Sequence, residues 1–455
     1  MLRDRQVWAA VALAVLLRAI PLILWGWAGE DCTRDECIFK IAARPILDGE
    51  GLGLAPKGWL PAPGFPYLLA ACHALFGSFE SVKWVQVALA APTLLALASL
   101  ADHLGGPRAG RWMAWLFAVH PTFVFYAGTM WTETVYTFFL ALAWLALVIA
   151  RDGAPKHAAV AGVALGACIL NRGIASALAP ILLVAIVAPV AWTAGLDAWR
   201  AALRDRARHG GAFVLGLALT VAPYSVHASL RWGGPVISDA TVGHVIAMGN
   251  DDYPPITFDY YIGQLTGRLF GRTLADGRRD CPRVGGPVAY DRCEVRRAVG
   301  WIEAHPAEFV ARVPTRLAQL FNPHTFLTRH VRWGFWPGLP WELKEALVAW
   351  QAAWSYLIVC GGTLAAFAVG RGPMLLVSAG TLAYYAALIG AMYGLSRFRL
   401  PLEPLWMLWL AVALANPAAA RAGLTGGRLV AGVALTAALG ALMTTYLWTG
   451  WPGLG

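Results

Sequence analysis

The side chains best suited to hold a phosphate or move a proton stand at the ends of apolar runs, not inside them. Asp35 and Glu36 follow the first run, and Glu133 opens the fourth. Arg172 separates the fifth from the sixth, His227 ends the seventh, and Arg397 and Arg399 precede the tenth. A guanidinium is a planar fork that matches phosphate oxygens. A carboxylate can take a proton from a hydroxyl or an amine. Groups brought to one plane by distant segments suit a substrate with a lipid tail, a phosphate and a sugar. The tail stays in the bilayer while arginines hold the phosphate. A carboxylate then deprotonates an acceptor that attacks the anomeric carbon, and positive charge stabilises the departing lipid phosphate.

The elements that must position these groups are membrane spans. Of the 455 residues, 58% are hydrophobic and 14% are charged, and mean hydropathy is +0.57. That balance excludes a soluble enzyme. The formal net charge of +10 is scattered between apolar runs with no basic stripe, which argues against nucleic acid as a partner. A bilayer core needs about 20 apolar residues in a helix. Runs of that kind predict eleven spans, near 7–27, 81–101, 111–127, 132–150, 157–171, 173–194, 211–230, 347–369, 374–393, 402–420 and 428–449. The expectation is an all-α polytopic protein. An N-terminal module of seven spans covers 1–230, with a first outer loop at 28–80. A large outer segment follows at 231–346, and a four-span module at 347–455.

Arginine and lysine in the short loops set the orientation. Arg3, Arg5, Arg108, Arg151, Lys156, Arg200, Arg204, Arg206, Arg208, Arg371 and Arg421 fall on one side of an eleven-span chain, which is then cytoplasmic. The N-terminus lies inside and the two long segments lie outside. Arg18 interrupts the first apolar run and no A-x-A site follows, so that run reads as an uncleaved span. An outer compartment permits disulfides. Cys281–Cys293 is the favoured pair and Cys32–Cys37 a second candidate, while Cys72, Cys168 and Cys360 read as packing residues. From about Tyr290 to Leu320 the apolar positions recur at helical spacing, which predicts a helix lying on the membrane face, broken at Pro306 and Pro314.

Structural roles compete with the chemical ones. Asp35 and Glu36 suit the first turn of a helix over 36–48. Glu133 suits the N-terminus of its span, and Arg397 and Arg399 suit interfacial anchoring. If the segment bearing the two arginines is extended, alternation points both the same way, toward one phosphate. Arg18 is either a buried structural partner or a lipid-phosphate ligand. His120 and His227 read as packing histidines, and Gly162-Val163-Ala164-Leu165-Gly166 as a helix-packing stripe.

Four stretches resemble the integral-membrane C-type glycosyltransferases that use polyprenyl-phosphate sugars. The likeness is to bacterial relatives of protein O-mannosyltransferases and of the lipid A aminoarabinose transferase. Asp35-Glu36-Cys37-Ile38-Phe39 resembles a D-E-x-x-Y element after the first span. Pro63-Gly64-Phe65-Pro66-Tyr67-Leu68-Leu69 resembles a P-G-Y-P-L-L turn. Trp131-Thr132-Glu133-Thr134 resembles an S-E-T-L-F span opening. Ser396-Arg397-Phe398-Arg399-Leu400-Pro401-Leu402-Glu403-Pro404 resembles an R-[YF]-R-L-P-x-x-P element before a late span. Weaker echoes are Asn171-Arg172-Gly173, Gly249-Asn250 and the stretch from Arg297 to Pro306.

The resemblance implies the C-type fold, an inverting transfer and a site on the outer face of a bacterial inner membrane. It implies a polyprenyl-phosphate sugar donor and a glycan, lipid or protein acceptor. Asp35 is then the base. Glu36, which as an adjacent helical residue faces another way, has a lesser role. Arg397, Arg399, Arg172 and Glu133 line the phosphate region. Where some members carry an arginine and a lysine near the phosphate, this chain has Ile38 and Leu60 or Pro61, and Lys57 and Lys40 stand nearby as substitutes. A divalent cation, if the reaction uses one, falls to Asp35 or Glu36. Other classes with the same outline are a lipid or solute transporter or flippase, marked by midplane charges and paired repeats, and a polymerase or ligase of lipid-linked glycans.

Overall fold

The computed structural model describes residues 4–25, 34–55, 58–189, 195–250, 281, 285–324, 326–332 and 338–445, with the side chains of 25, 34–36, 326 and 329 outside the description. Among the described residues the named elements are all helical, and the one β contact is an isolated antiparallel bridge between Leu60 and Ala240. Among the described residues, eight helical segments are long and apolar enough to cross a membrane: Arg5–Leu24, Phe79–Gly105, Glu133–Asp152, Leu196–Trp232, Trp341–Val369, Gly372–Ala391, Ser396–Ala415 and Gly426–Thr444. The protein is a multi-pass membrane protein.

The other three expected spans lie on shorter helical pieces. The 111–127 stretch is split into α5 (Pro107–Ala118) and α6 (Pro121–Ala127), because Pro121 follows His120 and cannot continue a helix. The orphan carbonyls at the end of α5 are met by Arg18 from α1 (Arg5–Trp25). Its guanidinium donates to Ala118 O and Phe117 O at 3.3 Å each, and to Ala14 O in its own helix at 2.9 Å. Arg18 is therefore a structural donor, with a helix end as its partner. The other two pieces are α8 (Pro155–Asn171) and a 3₁₀ turn running into α9 (Gly173–Ala177, Leu178–Val187).

The centre of the bundle is α18 (Glu403–Ala415) with α7 (Glu133–Asp152) and α4 (Val82–Gly105). In the apolar stretch that contains α18, 83% of the residues are buried. In the most apolar stretches of Leu196–Trp232 (α10) and Gly426–Thr444 (α20) only 17% are. Trp144 on α7, Leu97 on α4 and Met407, Leu408 and Trp409 on α18 belong to one continuous core. The peripheral helix α10 is held by close backbone approach together with a few buried side chains, Phe213 among them. A Cβ at Gly162 of α8 would lie 2.1 Å from Phe213 O, and one at Gly216 would lie 2.3 Å from Ala159 O. The small-residue stripe on α8 thus packs a helix pair, as its spacing predicts.

Two short helices, α2 (Arg34–Leu47) and α3 (Gly64–Phe76), occupy the first long connection. The second holds α11 (Val242–Gly249), α12 (Gly286–Ala304), α13 (Pro306–Phe321) and α14 (Phe326–Arg332). The break at Pro306 is present. Pro314 instead lies inside α13, so the expected second break does not occur. Cys281 and Cys293 form a disulfide with Cα atoms 5.7 Å apart. Cys37 is disulfide-bonded, and Cys32 lies outside the described residues. Cys72, Cys168 and Cys360 are free thiols. The Gly249-Asn250 pair joins this segment to the bundle. Gly249 O accepts from Arg316 at 2.6 Å, Asn250 donates to Ala391 O at 2.8 Å, and a Cβ on Gly249 would lie 1.8 Å from Met392 O.

Gly162→Leu must separate α8 from α10. Overpacking of this kind costs about 1–3 kcal/mol. The expected result is a lower thermal unfolding midpoint in detergent, whereas Gly211→Ala, a position with open space around its Cα, leaves the midpoint unchanged.

Candidate active site

Glu133 is the first residue of α7 and its side chain is fully buried. It accepts hydrogen bonds from two arginines that are distant in sequence. Arg172 Nη1 lies 2.9 Å from Oε1, Arg397 Nε also bonds Oε1, and Arg397 Nη2 lies 3.2 Å from Oε2. Each of the three comes from a place where the helices stop. Arg172 is the single extended residue between α8 and the following 3₁₀ turn (φ −155°, ψ 113°). Arg397 lies in a 3₁₀ helix, Ser396–Leu402, that leads into α18. The turn before Glu133 is held by Gln86 of α4, whose amide donates to Ala127 O and Thr129 O. Aromatic faces back both guanidiniums. Arg397 lies 4.5 Å from the centre of the Trp131 ring, and Arg172 lies 5.7 Å from Tyr136 and 5.9 Å from Phe398. Cation–π contacts of this kind strengthen when desolvated.

Arg399 serves a different partner. An extended segment would send residues 397 and 399 the same way. In the 3₁₀ helix, at about three residues per turn, positions two apart point to different sides. Arg399 is fully buried and donates to Glu403 Oε1 at 2.9 Å, to Asn322 O at 2.9 Å and to Ser355 Oγ at 3.1 Å. His120 Nε2 lies 2.9 Å from the other Glu403 oxygen, within ion-pair reach but off the hydrogen-bond direction. Gln351 extends this buried network through Ser355 (2.8 Å) and Thr122 (2.6 Å). The structure therefore brings Arg172, Arg397 and Glu133 together and places Arg399 in a neighbouring cluster. Glu403 is a residue that sequence reasoning missed. Its signal was the i, i+4 spacing from Arg399 on a helical segment.

The expected base sits elsewhere in the chain. Asp35 and Glu36 fall in the first turn of α2, and their side chains are outside the description. Lys40, one turn further along α2, forms an ion pair with Glu80 at 2.9 Å, which also pairs with the buried Lys83. Lys57 lies outside the described residues. The loop after α2 is tied back to it by Gly53 N, which donates to Ala42 O at 3.0 Å. Gly64 packs so closely on Asn171 that a Cβ would lie 2.8 Å from its amide nitrogen. The α2–α3 connection thus abuts the turn that carries Arg172. His227 is exposed and stands apart from this site. Among the described residues, no group of three or more His, Cys, Asp or Glu side chains could hold a metal ion.

Residues 61–225 match the family model of dolichyl-phosphate-mannose-protein mannosyltransferases. The match takes in the Pro63–Leu69 turn, Glu133 and Arg172, and agrees with the resemblance read from those same motifs. Asp35, Arg397 and Arg399 lie beyond it. No curated protein matches the chain. Among solved structures, the oligosaccharyltransferase AglB from Archaeoglobus fulgidus, in complex with an inhibitory peptide and a dolichol-phosphate, is 12% identical with a TM-score of 0.44. It aligns over 97% of this chain and 54% of its own. The chain therefore spans about half the length of that relative. The same oligosaccharyltransferase in complex with Zn and sulfate is 14% identical with a TM-score of 0.44, over 98% of this chain and 52% of its own. ArnT from Cupriavidus metallidurans bound to undecaprenyl phosphate is 12% identical with a TM-score of 0.43, over 91% of this chain and 79% of its own.

Removing one member of a buried ion pair leaves an uncompensated charge, at a cost of about 3–5 kcal/mol. Arg399→Ala is expected to lower the thermal unfolding midpoint in detergent strongly. Arg399→Lys should not restore it, because an ammonium cannot reach Glu403, Asn322 and Ser355 with one planar fork.

Proposed function

We propose that the protein is a glycosyltransferase of the C-type fold. In this reading it moves a sugar from a polyprenyl-phosphate donor to an acceptor at the outer face of a bacterial inner membrane. The observation that carries the reading is the buried Arg172–Glu133–Arg397 cluster, two members of which lie inside the stretch that matches the mannosyltransferase family. Such transfer needs a rigid cationic surface beside the membrane, since the leaving group is a lipid phosphate. Glu133 fixes two guanidiniums that would otherwise repel each other. It holds both arginines in place before any ligand arrives, so little ordering is left to the moment of reaction.

Asp35, in the first turn of α2 within the N-terminal module 1–230, is the base that deprotonates the acceptor. Glu36 supports it. Arg397 and Arg172 bind the donor phosphate. Arg399 holds the 3₁₀ helix that presents Arg397. Lys57 and Lys40 are further candidates for phosphate binding, Lys40 if it leaves its ion pair with Glu80. The acceptor attacks the anomeric carbon from the face opposite the phosphate, which inverts that centre.

Deletion of the gene should remove a glycan mass increment from envelope glycans or glycoproteins, read by mass spectrometry. Complementation with the native chain restores it. General-base catalysis contributes about 10²–10⁴-fold, so complementation with Asp35→Asn should leave the increment below detection at equal folded yield. Full restoration by Asp35→Asn would remove the base assignment. An unchanged envelope together with lipid flux in proteoliposomes would replace the whole reading with transport.

A further inference from the structure

Asp239 belongs to no motif and lies in the connection between α10 and α11, outside the spans. Its Oδ2 accepts the backbone N–H of Gly173 at 3.0 Å, the residue directly after Arg172. A Cβ at Gly173 would lie 2.5 Å from the same oxygen, so position 173 is occupied by the carboxylate itself. Next to it, Ala240 N donates to Leu60 O at 3.0 Å, and Leu60 leads into the Pro63–Gly64 turn that packs on Asn171. Three chain segments therefore converge on the one extended residue that aims Arg172 at Glu133.

We propose that Asp239 is a positioning residue for phosphate recognition, acting through the Gly173 N–H to fix the backbone from which Arg172 reaches Glu133. This rests on the reading that Arg172 and Arg397 bind the donor phosphate.

A carboxylate kept only for stability is not expected here. Burial pushes the Asp239 carboxyl up to about 6, against the pull of the Gly173 N–H and the Thr241 hydroxyl, with Asp291 raising it further and Arg172 lowering it. Tyr224 of α10 is the other titratable group that faces it. The folded-state value lies above the ordinary value of 3.8. Its contribution to stability is therefore fully present below that ordinary value and is lost as pH rises through about 6. At neutral pH the ionised group weakens the fold. What the side chain supplies in return is an acceptor for the Gly173 N–H.

The test uses the full chain in nanodiscs and measures binding of a short-chain polyprenyl monophosphate at pH 8, with thermal unfolding in parallel. Asp239→Ala and Gly173→Val are each expected to weaken binding at least about tenfold. Asp239→Asn keeps an acceptor for the Gly173 N–H. It should hold affinity within about threefold of native and raise the unfolding midpoint at pH 8. Asp239→Ala with native affinity would overturn the proposal. So would a fall in midpoint for Asp239→Asn, which marks a purely structural carboxylate. Arg397→Ala separates the two levels. If it too leaves binding unchanged, the phosphate-site reading fails. If it weakens binding while Asp239→Ala does not, only the role of Asp239 is lost.

Discussion

A carboxylate buried at the head of a transmembrane helix is costly unless it is paired and hydrogen-bonded. Glu133 meets that condition by accepting from two guanidiniums at once, and much of the surrounding architecture follows from it. Arg172 must arrive from the end of α8 and Arg397 from the start of the helix that becomes α18. These belong to opposite halves of the sequence, so the cluster joins the halves electrostatically at a point where apolar packing alone would leave them free to slide. The Arg399–Glu403–His120 group is a second buried tie between the same halves. Two such clusters fix both the separation and the rotation of the 3₁₀ helix between them.

All members of the site stand where α-helices are interrupted. This is a physical necessity more than a convention of the fold. Within a span the backbone satisfies itself and side chains face lipid or other spans, so a charge there has few partners. At an interruption, carbonyl and N–H groups become available. The structure uses them repeatedly: Arg18 takes the end of α5, Gln86 takes the turn before α7, and Arg399 takes Asn322 O. The prolines at 107, 121, 155 and 306 each open a helix. They therefore place those interruptions, and with them the possible sites for ionisable groups.

The sequence made the apolar runs legible because span length and composition are properties of a single segment. It also located Glu133, Arg172, Arg397 and Arg399 as a set, since charged residues at the ends of such runs stand out. Their pairing was not legible. Whether Arg399 joins Arg397 depends on whether residues 396–402 form a strand-like or a 3₁₀ segment, and Pro401 with short flanking runs fits either. The break at Pro306 and the continuity through Pro314 show the same limit, because a proline ends one helix and is absorbed by the next according to what packs against it. Asp239 could not be found from sequence. Its partner is a backbone N–H 66 residues away, and no residue type marks a backbone donor.

The R-F-R-L-P element is best understood as two arginines with opposed tasks. Arg397 is backed by the face of Trp131 and pairs with a carboxylate it shares with Arg172, so its orientation is set by groups on the other half of the chain. Arg399 spends its donors on Glu403, Asn322 and Ser355, which lie on or beside its own half. A 3₁₀ helix is the geometry that separates them, because an extended segment would put both on one side and leave Glu403 without its fork. Pro401 restricts Leu400 and favours the tight turn over a continued α-helix. The motif thus places two arginines with different partners within three residues, and the anchoring of Arg399 fixes the 3₁₀ helix from which Arg397 reaches Glu133.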